Sequence, residues 1–90
     1  MDFGAAFDGY CSDMTRTVSI GEPSDEMVKV YNTVIDAQNS AFSQIKSDVF
    51  GYIVDKAARD VIYNAGYTGC FGHGTGHSVG LDIHESPNFS

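Results

Sequence analysis

The 90-residue sequence has few basic residues, two cysteines, two prolines and no tryptophan. Lysine and arginine together number 5 against 12 aspartates and glutamates, which gives a formal net charge of −7. Nucleic acid needs a basic surface for its phosphates, so this balance excludes nucleic acid as a partner. Most of the acidic side chains are expected on a solvated face, which leaves a minority as candidate cation ligands.

The cysteines and the apolar residues narrow the class of protein further. Cys11 and Cys70 are too few and too far apart for a disulfide framework or a CxxC site. No apolar run is long enough to cross a membrane, and no charged and then apolar leader opens the chain. Apolar residues make up 42% of the sequence, which is typical of a globular domain. We therefore expect one small domain, no membrane partner and a cytoplasmic location.

The first 18 residues alternate around Asp8-Gly9, a dipeptide that favours a tight two-residue hairpin turn. With that turn, Asp2 and Asp13 share one face as diagonal neighbours, with backbones roughly 7–8 Å apart. Gly4 lies opposite Asp13 and leaves the space between the two carboxylates open. The other face is largely apolar and is expected to be buried. Its residues are Phe3, Ala5, Phe7, Tyr10, Ser12 and Met14.

Two converging carboxylates repel each other unless something neutralises them. One of them could hold a proton, as in an acid dyad, or a cation could bind. Two divalent ions about 3.5–4 Å apart would let one carboxylate bridge while the other chelates. Taken alone, the pair is also compatible with two solvent-exposed strand aspartates.

Two helices are predicted after the hairpin. Ser24 is a candidate N-cap for a first helix over about residues 25–46, which carries apolar residues at helical spacing. Apolar residues three and four positions apart within 54–65 predict a second helix. Gly66 is a natural C-terminal stop for it.

The third feature is a glycine-rich segment with clustered histidines. Residues 72–77 contain three glycines in six positions, which excludes a stable helix and with it a zinc-binding helix carrying His73 and His77. We predict a loop leading into an extended segment over 78–84, which Glu85-Ser86-Pro87 then breaks. Strict strand alternation would put His77 and His84 on opposite faces, so a bend between them is needed if both serve one site.

These motifs resemble the pita-bread metallopeptidases, the family of aminopeptidase P, Xaa-Pro dipeptidase and methionine aminopeptidase. Residues 2–5 (DFGA) and 10–17 (YCSDMTRT) look like the family's first signature, with the two aspartates eleven positions apart. Residues 72–77 (GHGTGH) and 80–87 (GLDIHESP) look like the second. The residues of these two motifs are closer to those of the Xaa-Pro peptidases than to those of methionine aminopeptidase. The resemblance implies an α+β fold in which this chain supplies a hairpin, two helices, a loop and a strand.

The resemblance also implies a role for each candidate residue. Asp2 would chelate one metal ion, Asp13 would bridge two, and His77 would bind the second. His84 would hydrogen-bond the substrate near the scissile peptide bond, and His73 would help to stabilise the tetrahedral intermediate. The family uses manganese, cobalt or sometimes zinc to activate a bridging water molecule. Oxygen-rich ligation with one imidazole suits these ions.

The function implied for the full-length protein is that of a metal-dependent exopeptidase acting on the N-terminal bond of peptides, with Xaa-Pro peptides as substrates. A homo-oligomer is expected. The family's other two metal ligands are glutamates beyond the second signature, one of which also acts as general base, and an aliphatic strand leads into the first aspartate. Residues 1–90 are therefore expected to be an incomplete catalytic domain that is inactive alone.

Two alternatives remain open at this point. One is a metal-free pita-bread relative, either a creatinase-like hydrolase or a domain that binds peptides or proteins without catalysis. The other is a non-catalytic acidic binding module. Because all three expected ligand positions carry ligand residues, the metallopeptidase is favoured over the metal-free relative, and metal-dependent hydrolysis by the full-length protein would separate it from the binding module.

Overall fold

The computed structural model describes all 90 residues and contains two helices and three antiparallel strand pairs. The helices are α1 (Asp25–Gln44) and α2 (Gly51–Asn64). The strands are short: β1 (Asp2–Phe3), β2 (Ala6–Phe7), β3 (Tyr10–Cys11), β4 (Met14–Thr15), β5 (Gly76–Ser78) and β6 (Glu85–Phe89). β1 pairs with β4, β2 with β3, and β5 with β6. Neither helix combines the length and hydropathy that a membrane span requires.

The hairpin has the predicted register. Phe7 pairs with Tyr10 across the turn, and Asp2 pairs with Thr15 at the open end. Asp8 and Gly9 have φ values of 50° and 81°, the left-handed conformation that both central residues of a type I′ turn require. Because the turn determines every later pair in the two strands, it also determines which side chains share a face.

The apolar face of the hairpin is not buried, and that prediction is wrong for these 90 residues. Phe7 is 80% exposed, Tyr10 61% and Phe3 53%. The helices pack against each other, and α2 also packs against β6, rather than on the hairpin. Alternation predicts which side chains share a face, but it carries no information on whether another element covers that face.

Both helices begin and end close to the predicted positions. The Ser24 hydroxyl accepts a hydrogen bond from the Met27 backbone N–H at 3.2 Å, so Ser24 is the N-cap of α1. The last residue of α1 is Gln44 rather than Lys46. After α2, Gly66 takes a φ of 98°, which fits a glycine stop at a helix C-terminus.

The core lies between the two helices and is small. Only 6 of the 90 residues are buried. Five of them are apolar, and most have short side chains that let the helices approach closely: Ala37, Ala41, Val54, Ala58 and Ile62. The sixth is Asp55 on α2, and a buried carboxylate requires hydrogen-bonding partners.

The segment after the glycine-rich loop differs from the prediction in two respects. Residues 80–84 form bends instead of an extended strand, and Glu85–Phe89 is a strand instead of a break. β6 pairs with β5 alone, so the missing N–H of Pro87 removes no necessary ladder bond. A bend between His77 and His84 was needed to bring both to one site, and the bends at 80–84 confirm that bend.

Gly51 lies where the N-terminus of α2 meets β6. A Cβ atom at this position would overlap the backbone carbonyl of Asn88. Helix propensity favours alanine over glycine by up to about 1 kcal/mol, but overpacking against a backbone costs about 1–3 kcal/mol. We therefore expect Gly51→Ala to lower the free energy of unfolding by about 1 kcal/mol in a urea titration.

The matched control for that measurement is Gly72→Ala. A Cβ at Gly72 has no neighbouring atom within 4 Å, so we expect no loss of stability. A more stable Gly51→Ala protein would contradict the close approach of α2 to β6.

Candidate active site

The five residues predicted for the site line a single cleft. The cleft lies between the hairpin, α1 and the segment that contains the histidines. Its lining comprises Asp2, Asp13, Thr15, Gln38, Phe42, His73, Gly74, Thr75, Gly76, His77, Val79 and His84. Asp2 and Asp13 therefore reach the same side of the hairpin, as its register predicts. The Thr15 hydroxyl donates to Asp2 Oδ1 at 3.3 Å and orients that carboxylate.

His77 is the histidine nearest to Asp13. Its Nε2 lies 3.4 Å from Asp13 Oδ2, whereas neither of the other two imidazoles comes within 4.0 Å of a carboxylate oxygen. The Nδ1 of His77 lies 2.9 Å from the backbone carbonyl oxygen of Ser78. A carbonyl only accepts, so Nδ1 is the donor to Ser78 and Nε2 is the ring nitrogen that faces Asp13. This is the arrangement expected of a metal-binding histidine.

The other two histidines take different places in the cleft. The His84 ring lies edge-on to the His77 ring with 4.4 Å between centroids, because the bends at 80–84 fold the chain back. His73 Nδ1 donates to the Gly74 carbonyl at 2.7 Å, and its ring lies against Phe71 at 5.2 Å. His84 is thus a direct neighbour of the candidate ligand, whereas His73 approaches the cleft from the loop.

The donor set fits a divalent cation in its chemistry. Two carboxylates and one imidazole with a free Nε2 suit manganese, cobalt or zinc. No three histidine, cysteine, aspartate or glutamate side chains converge closely enough to form a metal site by themselves. Asp13 and His77 are in contact, while Asp2 is engaged by Thr15.

Asp55 and Arg59 were not among the residues expected at the site, yet they tie α2 to residues 71–77, here termed the histidine loop. Arg59 Nε and a terminal guanidinium nitrogen donate to the Asp55 carboxylate at 3.0 and 3.3 Å. Asp55 Oδ1 also accepts the backbone N–H and the hydroxyl of Thr75, at 2.9 and 2.8 Å. A carboxylate beside the apolar stripe of a helix, four residues before an arginine, was the available sequence signal.

Arg59 extends the same network along the loop. Its two terminal nitrogens donate to the carbonyl oxygens of Phe71 and His73, at 2.7 and 2.9 Å. The guanidinium lies over the Phe71 ring at 4.4 Å from the centroid. Every hydrogen-bonding group of Asp55 thus has a partner, which is what makes its burial tolerable.

The pKa of Asp55 reflects this network. Burial raises it, but the hydrogen bonds from Arg59 and Thr75 and the guanidinium charge outweigh burial, so the pKa lies below its ordinary value of 3.8. A lowered folded-state pKa means that the stabilisation is complete above the ordinary value and is lost as pH falls through the folded-state value. We expect the Thr75 amide, measured by hydrogen exchange corrected for intrinsic rate, to stay protected from neutral pH down to about pH 4 and to lose protection below that.

Asp55→Asn removes the titrating group, so its protection profile should be flat through that acidic range. Loss of Thr75 protection between about pH 5 and 7, where histidines titrate, would contradict the assignment to Asp55.

The comparison with known proteins agrees with the fold and identifies the family. Metallopeptidase family M24 matches residues 1–90, the whole chain. The chain is 48% identical over 90 residues to the uncharacterized peptidase YqhT of Bacillus subtilis (strain 168), a match that covers 100% of this chain and 26% of that protein. It therefore spans about a quarter of the length of such relatives.

Solved structures give the same result. The chain is similar to the X-Pro aminopeptidase from Thermotoga maritima MSB8 and to the Xaa-Pro dipeptidase from Bacillus anthracis, each with a TM-score of 0.94 and 48% identity. Each match covers 99% of this chain and 25% of the other. The chain belongs to metallopeptidase family M24, and the predicted α+β, pita-bread fold is confirmed.

Proposed function

We propose that these residues serve a metal-dependent exopeptidase that hydrolyses the N-terminal bond of Xaa-Pro peptides. The observation that carries the proposal is the 3.4 Å approach of His77 Nε2 to Asp13 in a cleft that Asp2, His73 and His84 also line. Membership of family M24 supports peptide hydrolysis. The names of the similar structures, an X-Pro aminopeptidase and an Xaa-Pro dipeptidase, support the preference for proline.

Asp2, Asp13 and His77 would hold two divalent ions, with manganese or cobalt as the first choice and zinc as the second. When bound, the ions supply an activated water molecule for hydrolysis. The chain's own contribution is to hold the donors in place. The Ser78 carbonyl orients the His77 ring, and Thr15 orients the Asp2 carboxylate. The two negative charges that face the cleft favour a cation there.

The remaining histidines would act on the substrate. His84 lies against the His77 ring and can donate a hydrogen bond to a peptide carbonyl close to the metal ligands. His73 is placed to donate to the oxygen on which negative charge develops, and such donors stabilise the transition state. Its Nδ1 donates to the Gly74 carbonyl, so Nε2 would fill that role in the imidazolium form, in which both ring nitrogens carry a proton.

Activity of the complete protein tests the proposal. We expect hydrolysis of Xaa-Pro peptides to stop after chelation and to return on addition of manganese or cobalt. A dipeptide and a tripeptide with the same first two residues separate dipeptidase from aminopeptidase activity, and Xaa-Ala peptides control for the proline preference. Hydrolysis that chelation leaves unchanged would favour a metal-free relative, and binding without hydrolysis would favour a non-catalytic domain.

We also propose that residues 1–90 alone are an incomplete catalytic domain. None of Glu22, Glu26 and Glu85 lines the cleft, so the chain places no glutamate there as a further ligand or as a general base. The isolated 90-residue chain is expected to show no hydrolysis of an Xaa-Pro dipeptide above that of the added metal alone, with manganese or cobalt present. Turnover comparable to that of the complete protein would show that a local group supplies the base.

A further inference from the structure

The histidine loop is hydrogen-bonded to α2 at every second residue, and the residues between these positions are glycines with a flexible backbone. The anchored backbone positions are Phe71, His73 and Thr75. The residues between and after them are Gly72, Gly74 and Gly76. Glycine has the largest backbone freedom of any residue, so such a loop does not hold its own shape. Its conformation must be imposed by contacts from outside the loop.

The pairing of β5 with β6 holds Gly76 and His77, and the contacts on the rest of the loop come from two side chains one helical turn apart on α2. Asp55 is 8% exposed and bonds both donors of Thr75, while the Arg59 fork spans two carbonyls two residues apart. One helical turn further along α2, the Tyr63 hydroxyl oxygen accepts a hydrogen bond from a terminal nitrogen of Arg59 at 3.4 Å. Asp55 and Arg59 together make four hydrogen bonds to the loop. Three of the four involve backbone atoms of the loop, so they restrain its path directly.

The same helix carries an ion pair of identical spacing that makes no such contacts. Lys56 and Asp60 are also four residues apart, but their side chains are 70% and 52% exposed. An exposed pair of this kind contributes little to stability. The exposed pair therefore shows the effect of an i,i+4 ion pair alone on this helix. Any larger effect of the Asp55–Arg59 pair is due to its contacts with the loop.

We propose that Asp55, Arg59 and Thr75 form a clamp whose role is to position the histidine loop, and through it His73 and His77, for the reaction. The inference rests on the proposed peptidase function. Asp55 and Arg59 are positioning residues, since they reach the cleft only through the loop, and Thr75 is the loop residue at the cleft that Asp55 holds. Restraining the backbone at 71, 73 and 75 holds the backbone of His73 directly and the path by which the loop enters β5, where His77 is paired with β6. A displacement of about 1 Å at such groups lowers the rate on the order of 100-fold.

Two substitutions in the complete protein test the clamp. Arg59→Lys keeps the charge and the pairing with Asp55 but loses the fork that spans two carbonyls. Thr75→Val removes the hydroxyl donor at constant shape, and Thr75→Ser restores it. Lys56→Gln breaks the exposed ion pair on the same helix and is the matched control.

For Arg59→Lys and Thr75→Val we expect kcat on an Xaa-Pro peptide to fall about 10–100-fold with a smaller change in KM. Hydrogen exchange should accelerate at residues 71–77 while the amides of α1 and α2 keep their protection. Thr75→Ser should recover kcat to within about threefold, and Lys56→Gln should match the unmodified protein.

A purely structural role predicts a different pattern. If exchange accelerates equally in the helices and the loop, and kcat per folded molecule is unchanged, the positioning role is overturned. If the complete protein hydrolyses no peptide, the proposed function fails, but the clamp is still tested. Selective loop exchange and weakened binding of Mn²⁺ by calorimetry in Arg59→Lys would support it, and unchanged exchange and binding would overturn it.

Discussion

Asp13→Asn is expected to lower kcat of the complete protein on an Xaa-Pro peptide by at least about 10³-fold. Asp13 is the carboxylate that faces His77 Nε2 at 3.4 Å, and the proposal gives it the bridging position. Asparagine has the same shape but no charge, so it cannot neutralise two divalent ions. A rate loss of this size corresponds to the loss of several kcal/mol of transition-state stabilisation by the metal ions. Mn²⁺ binding measured by calorimetry should weaken in parallel.

Asp8→Asn is the matched control for that experiment. It makes the same substitution on the same hairpin, at a turn residue that does not line the cleft. Asp8 has a φ of 50°, and asparagine tolerates the left-handed region as well as aspartate does. We expect activity within about twofold of the unmodified protein. An Asp13→Asn protein that kept activity within about tenfold would contradict the metal assignment.

The second large effect is on stability. We expect Asp55→Ala in the complete protein to lower the free energy of unfolding by about 2 kcal/mol, measured by urea denaturation. The substitution leaves Arg59 and both donors of Thr75 without their acceptor, at positions that are only partly exposed. Donors that lose their acceptor where water has limited access are costly.

A double-mutant cycle gives the control. Asp55→Ala combined with Arg59→Met removes both charges, so we expect the double variant to lose less stability than the sum of the two single variants. Asp60→Ala, which breaks the exposed pair on the same helix, should cost no more than about 0.5 kcal/mol. Equal losses for Asp55→Ala and Asp60→Ala would contradict the role given to burial.

The errors of the sequence interpretation have one physical origin. The apolar hairpin face was expected inside because alternation is typical of half-buried strands, yet Phe7 and Tyr10 are exposed. Pro87 was expected to break a strand, yet it lies within β6. In both cases the outcome depends on a neighbouring element. No element of these 90 residues covers the hairpin face, and β6 is paired along one edge only, which leaves room for a proline. The local sequence pattern does not report which neighbours a strand has.

The sequence by itself determined the features that rest on short-range interactions. The Asp8-Gly9 turn set the hairpin register and put Asp2 and Asp13 on one side, Ser24 capped α1, and two signatures were enough to identify the family. The resemblance had already assigned His77 to the metal site beside Asp13, and the two side chains lie 3.4 Å apart. Only the tertiary structure decided that Asp55 and Arg59 hold the loop that presents His77. The physical reason is distance along the chain. Turns and caps are settled by bonds between residues a few positions apart, whereas the site requires groups some sixty positions apart to be brought together by the packing of α2, β5 and β6.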